Sequence, residues 1–263
     1  MVVVQLAGGW CRARAGGVAV AADAQAADPR GAGANRPAFV IAIDAGHGGS
    51  NLGAAGITVE AGGTNAGRTI FEKQVTLALA RRLRDRLAAR ADFRVVLCRQ
   101  DDVMVPIRAR ARCAEQARAD LFISLHANAS PPGVAPGSRR GFEVYVLSPQ
   151  EREDDASLAG ARVADPADAV WAAHEAMAQA ECSILAARLI STRLGERLGR
   201  DASRGVRQTG ASLDVLRGAG APAALVEVGF IDHPSEGQLL ASAAGQEVIA
   251  TALAAAVADF AQR

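Results

Sequence analysis

Lysine is nearly missing from this 263-residue chain: of 29 basic residues, Lys73 alone is a lysine. The arginines that take its place accompany abundant alanine, as in a GC-rich coding background, so arginine density by itself says little about function. Any excess of charge is missing too, because 28 acidic residues leave a formal net charge of +1. Without a basic cluster the chain lacks the electrostatic footprint of a nucleic-acid binder. No apolar run approaches the roughly 20 residues needed to cross a bilayer, which argues against an integral membrane protein. The four cysteines, Cys11, Cys98, Cys113 and Cys182, form no C-x-x-C pair and no zinc-ligand spacing. A chain of this length buries a full core without disulfide staples, and the cysteines read as small buried apolar residues. There is no internal repeat.

What is present is an alternation of strand-length and helix-length segments. Residues 1–36 are irregular and read as a tail, either a signal remnant or a linker; their order of charge, apolar stretch and small residues fits an export signal only feebly. Phe39–Ile43 is a continuous apolar run of strand length, followed by a Gly-rich loop that extends to residue 70. Helical spacing of Val75, Leu79, Leu83 and Leu87 predicts a helix over Phe71–Arg90. Arg94–Cys98 reads as a strand, Val105–Arg118 as a helix, and Leu121–Leu125 as a third apolar strand. Gly141–Leu147 alternates like a strand, and an acidic loop at Glu151–Asp155 leads to a helix from Asp165-Pro166 to about Leu198. Leu213–Leu216 and Ala223–Val228 read as strands, and Ser235 caps a final helix to about Phe260. The pattern predicts an α/β fold, a mostly parallel twisted sheet covered by helices on both faces, with residues 37–263 as one domain.

Four polar groups break that pattern. His47, in Asp44-Ala-Gly-His-Gly-Gly49, lies just past the first strand, and His126 ends the third. Ligands of open α/β sheets collect beyond the carboxyl ends of the strands. Singly, each histidine reads as structural; two at equivalent strand ends point to a ligand set. Glu72 opens its helix, where a carboxylate suits the helix dipole, yet it shares a face with Val75 and Leu79 and so points inward. Glu227 interrupts an otherwise buried strand, Ala223-Ala-Leu-Val226 and Val228-Gly-Phe-Ile231. A carboxylate there is paired with an arginine, metal-bound or catalytic. Two His and one Glu make a catalytic zinc set with an open position for water, and the second glutamate supplies the acid–base group that amide hydrolysis needs.

The chain resembles the zinc-dependent N-acetylmuramoyl-L-alanine amidases of the type-3 family over roughly residues 38–260. The resemblance rests on Ile41-Ala-Ile-Asp-Ala-Gly-His-Gly-Gly49, Phe71-Glu-Lys73, Leu97–Asp101 leading to Arg108, Ala119-Asp-Leu-Phe-Ile-Ser-Leu-His-Ala-Asn128 and Ala224-Leu-Val-Glu-Val-Gly-Phe-Ile231. It implies His47, Glu72 and His126 as Zn2+ ligands and Glu227 as the catalytic glutamate. The implied reaction is cleavage of the amide between N-acetylmuramic acid and L-alanine of peptidoglycan stem peptides, in the periplasm or cell wall where that substrate lies. Lys73 coincides with the family's Glu-Lys pair. The chain departs from the family at Asn51-Leu-Gly-Ala54, where Asp-Pro-Gly-Ala is common, and in a longer stretch from Gly56 to Arg68. The domain that often precedes the catalytic one in division amidases has no counterpart in the tail.

Residues 148–199 exceed what a bare hydrolase requires. The segment resembles the insertion of division amidases that covers the zinc cleft until a protein activator displaces it. On that reading residues 151–180 form a lid, and Glu175 or Glu181 supplies an autoinhibitory carboxylate to the metal. For Ile184–Leu198 the fitting reading is a surface helix burying one stripe in the core. His174, within that helical stretch, reads as a packing or lid residue, and His233, before Pro234, as a solvent-exposed turn residue. Two other functions stay open on sequence: a zinc peptidase on a related fold, and a non-catalytic cell-wall-binding module.

Overall fold

The computed structural model describes residues 38–59, 67–160, 166–208 and 213–263; the tail and Cys11 lie outside the described residues. Six strands form one sheet in the order β4-β1-β5-β8-β6-β7. These are β1 (Phe39–Ala45), β4 (Phe93–Leu97), β5 (Leu121–Asn128), β6 (Phe142–Val146), β7 (Ser203–Gln208) and β8 (Ala223–Phe230). β4, β1, β5 and β8 run parallel; β6 joins β8 antiparallel and carries β7 parallel to itself. One face is covered by α1 (Glu72–Ala88), α4 (Pro166–Leu198) and α6 (Ala243–Phe260). That side holds the larger core, in which Ile41, Ile43, Ile123, Leu125, Val144 and Val226 meet Leu79, Leu83, Ile190 and Leu253. The other face carries a smaller cluster around Ala42, Phe122, Leu147 and Leu225, covered by α2 (Ile107–Ala117) and by Leu213–Ala219. Beyond that cluster, toward the carboxyl ends of the strands, the second face turns polar. α6 is long and apolar enough to cross a membrane, but it is packed against α1 and α4 as a core helix.

Several elements depart from the sequence reading. The acidic loop is a helix, α3 (Pro149–Gly160), with a reciprocal cap: the Glu151 amide donates to Ser148 Oγ and the Ser148 amide to Glu151 Oε2. The Ser-Pro-Gln-Glu signature at its start was present in the sequence. Leu213–Leu216 is a turn rather than a strand, because its leucines are buried by packing under the second face and not by pairing. The single final helix is two, α5 (Pro234–Ala241) and α6, broken at Ser242, whose hydroxyl accepts the Gly245 amide. His233, not Ser235, caps α5 through Nδ1, and it is half-buried. β7 and a small hairpin, β2 (Ala55–Thr58) with β3 (Thr69–Phe71), were not read as strands. The cysteines also differ: Cys98 at the end of β4 and Cys113 on α2 lie 5.6 Å apart between Cα atoms and form a disulfide, and Cys182 is disulfide-bonded as well.

Candidate metal centre

The carboxyl end of the sheet assembles the site from four separated segments. Glu72 is the first residue of α1, and the β2–β3 hairpin fixes that helix start. The Glu72 amide donates to the Ala54 carbonyl and the Lys73 amide to the Leu52 carbonyl, at 2.9 and 3.2 Å. The carboxylate is therefore delivered inward, over the strand ends. Its Oε1 lies 2.9 Å from His126 Nδ1 and accepts the Ala127 amide at 3.0 Å; its Oε2 lies 2.9 Å from His47 Nε2 and accepts the Ala54 amide at 2.9 Å. The two imidazoles meet edge to face with centroids 5.0 Å apart. One donor atom from each of His47, Glu72 and His126 lies within 4.8 Å of the other two. Burial alone would raise the Glu72 pKa, but the hydrogen bonds and charges of both histidines outweigh it and hold the carboxyl far below its usual range. His126 moves the other way: burial opposes its charge, yet Glu72 raises its pKa above the ordinary imidazole value.

Glycine makes this approach feasible at two positions. A Cβ on Gly46 would sit 2.5 Å from His126 Cε1, and one on Gly53, whose φ is +68°, would sit 2.6 Å from Glu72 Oε2. His47 itself adopts a left-handed φ of 62°, a conformation that costs an L-residue roughly 1–2 kcal/mol and persists only where its surroundings enforce it. Three cations enforce it. Arg110, on α2, donates to Asp44 Oδ1 at 2.7 Å and to the Ala45 and His47 carbonyls. Arg99 holds the Ala45, Gly46 and Lys73 carbonyls. Lys73 Nζ reaches the Gly49 carbonyl at 2.8 Å and Asp102 Oδ2 at 2.7 Å, while Asp102 Oδ1 accepts the Gly49 amide. A compact ammonium suits that two-acceptor site, which accounts for the one lysine among so many arginines. Arg108, which ended the motif read from Leu97, is exposed; the buried arginine of α2 is Arg110, two residues later. A charge on the stripe it shares with Ala111 and Ala114 was its only mark in the sequence.

Asn51, the departure from the usual Asp, stands beside His47: Oδ1 lies 2.9 Å from His47 Nδ1. That contact orients the ring and leaves Nε2 as the atom aimed at the centre. Glu227 occupies the next strand, as the cross-strand partner of His126. Its Oε2 is fully buried with no hydrogen-bond partner. Burial, reinforced by the neighbouring Glu72 and Glu143 carboxylates against the pull of His126 and His47, pushes its pKa up to about 7. A carboxyl poised near neutrality can both accept and return a proton. No arginine pairs with Glu227 among the described residues, so the buried ion pair left open by the sequence is not formed.

Glu175 and Glu181 stand elsewhere. Ser183, two residues past Glu181 on α4, accepts the Ala223 amide at the start of β8. From there α4 runs alongside the strand to Leu198, beside Gly141 and Phe142. Its first half therefore lies beyond the amino end of β8, and Glu227 is four residues further up the strand, about 13 Å at the rise of a β-strand. Neither glutamate joins the cluster of His47, Glu72 and His126; Glu181 is exposed and Glu175 half-buried. The described residues of the expected lid, 151–160 and 166–180, lie toward the amino end of β8, because α3 follows β6, which runs antiparallel to β8 and ends there. His174 is exposed rather than packed.

Comparison with known proteins gives the family. The profile of the N-acetylmuramoyl-L-alanine amidase family, Amidase_3, matches residues 41–259. N-acetylmuramoyl-L-alanine amidase AmiC of Neisseria meningitidis serogroup B is 32% identical over 245 residues, 88% of this chain and 54% of that protein. AmiA of Escherichia coli strain K12 is 30% identical over 237 residues, covering 84% of this chain and 75% of its own. The chain thus spans about half the length of the AmiC proteins it matches. Among solved structures, an N-acetylmuramoyl-L-alanine amidase from Clostridium difficile 630 superposes with a TM-score of 0.64 at 25% identity, over 85% of this chain and 97% of that one. AmiC2 of Nostoc punctiforme gives 0.62 at 25% identity, over 86% and 98%. With most of its length matched by the family profile, this chain belongs to the N-acetylmuramoyl-L-alanine amidase family.

Proposed function

We propose that the protein is a zinc-dependent N-acetylmuramoyl-L-alanine amidase that hydrolyses the amide between N-acetylmuramic acid and the first L-alanine of peptidoglycan stem peptides. The observation that carries this reading is the gathering of His47, Glu72 and His126 around one point, beside a buried Glu227 oxygen that has no partner. Two imidazoles and a carboxylate fit zinc, and Asn51 behind His47 is the kind of outer contact that ligating histidines use. An ion held there would supply Lewis-acid polarisation of the scissile carbonyl and a nucleophilic water near neutral pH. Glu227 would accept a proton from the attacking water and return it to the departing alanine nitrogen, and its pKa near neutrality suits both transfers. Arg99, Arg110 and Lys73 keep the His47 loop fixed while this happens. The Cys98–Cys113 disulfide fits an oxidising compartment, which supports a periplasmic or cell-wall location. The protein activator implied by the lid resemblance would have to act on a segment that first moves from the amino end of the strands.

Metal analysis together with a digest of purified muropeptides tests the reading. About one zinc per chain and release of intact stem peptides from the sugar are expected. Glu227→Gln should keep the metal and lose about 10³-fold in turnover, within the span of general acid–base catalysis. Cleavage inside the peptide would instead assign a peptidase, and zinc binding without any cleavage a wall-binding module.

A further inference from the structure

Next to the centre lies a cavity of about 510 Å³ lined by Arg139, Glu143, Tyr145, Arg204, Arg207 and Phe230, among others. It lies over the next two strands of the sheet: Glu143 on β6 is the cross-strand partner of Glu227, and Arg207 on β7 is the partner of Tyr145, two residues further along β6. The charges in this cavity do not cancel. Glu143 is already engaged by the Tyr145 hydroxyl and by Arg204, and these contacts overcome burial to hold its pKa below the ordinary carboxylate range. Arg204 is further fixed over the Phe230 ring, 5.4 Å from its centroid. Arg139 and Arg207 have no carboxylate within ion-pair distance among the described residues. The cavity sets three guanidiniums against one carboxylate: Arg204 is locked on Glu143, Arg207 acts on it from beyond ion-pair distance, and Arg139 has no carboxylate beside it among the described residues.

We propose that this pocket is a specificity subsite for a carboxylate of the stem peptide, borne by the second or third residue beyond the scissile bond. The inference rests on the amidase reading. In such a substrate the carboxyl group of muramic acid is consumed in the amide, so negative charge near the cut lies on the peptide. A guanidinium fork recognises a carboxylate with two parallel hydrogen bonds. The reach fits: two strand spacings separate β8 from β7, about 10 Å, and three extended residues span about that distance.

The test compares muramoyl-peptides carrying free carboxylates at peptide residues two and three with the same peptides as carboxamides, on the wild-type chain and on an Arg139→Gln, Arg207→Gln double variant. The expected result is that kcat/KM of the wild type favours the carboxylate form by about tenfold, the scale of one charge-assisted hydrogen bond, and that the double variant loses this preference, mainly through KM. Calorimetric titration with the cleaved product peptides, acid against amide, should show the same preference in the wild type and its loss in the double variant. Equal handling of acid and amide by the wild type, or a preference that survives in the folded double variant, would overturn the proposal. If no muramoyl-peptide is cleaved by any form, the amidase reading falls, and the titration alone then decides whether the pocket selects a peptide carboxylate.

Discussion

The two ends of the sheet each bury a charged side chain with an unsatisfied atom, and they differ in what surrounds it. At the carboxyl end, Glu227 Oε2 lacks a partner while two imidazoles and two carboxylates crowd around it. At the amino end, Arg152 of α3 is buried and its Nε is likewise unpartnered, with a long 3.4 Å contact from its Nη2 to Ser183 Oγ. Burial drags the Arg152 pKa down to about 10, Asp155 opposing and Arg217 adding to the fall. An orphaned charge is therefore not in itself the mark of a site. What distinguishes the carboxyl end is that its orphan faces other titratable groups at strand termini, beside a loop that is strained and clamped.

Substitutions at three positions sharpen this contrast. Asn51→Ala at the carboxyl end should weaken zinc binding by about 10–100-fold, the usual consequence of losing the outer contact of a ligating histidine; Asn51→Asp should retain it. Competition with a chromogenic chelator measures both, and an unchanged affinity in Asn51→Ala would remove Asn51 from the centre. Glu227→Gln should stabilise the chelator-treated protein at pH 8. Its folded pKa is raised, so its contribution to stability is full below the ordinary value of 4.5 and is lost as pH rises through about 7. A gain of about 2 kcal/mol, or roughly 5 °C in midpoint, is expected at pH 8 and should vanish by pH 4. Thermal melts across that range check the sign; a destabilised variant at pH 8 would mean the ionised carboxylate is well satisfied. Arg152→Met, at the other end, should change stability by less than about 1 kcal/mol, on the stabilising side, since a poorly paired buried cation is replaced by apolar volume. Hydrolysis should not change, and a loss of about 3 kcal/mol in chemical denaturation would show that Arg152 holds α3 in place.

The four central residues could be found in the sequence because each violates a local rule. Glu227 sits where a buried strand calls for an apolar residue, Glu72 on the inward face of an amphipathic helix, and the histidines just past apolar runs. Lys73 stood out by composition alone. Arg110 left only a charge on a buried stripe, and Arg99 less. The arginine-lined pocket left nothing, since Arg139, Arg204 and Arg207 are three among many arginines in a chain where that residue is common. β7, Ser203–Gln208, carries too little apolar character to be read as a strand; it exists because β6 offers it an edge.

The main strands and helices, and the residues able to hold a metal, were written into the chain as periodicity and its interruptions, which are local properties that a run of five to twenty residues can display. The location of α3 and α4 was not, because it depends on β6 reversing direction beside β8, a pairing between segments some eighty residues apart. The same holds for the Cys98–Cys113 bond and for the pocket beside Glu227. Each arises from residues that become neighbours only once strand register is set, and register is decided by burial of whole faces rather than by any short stretch of sequence.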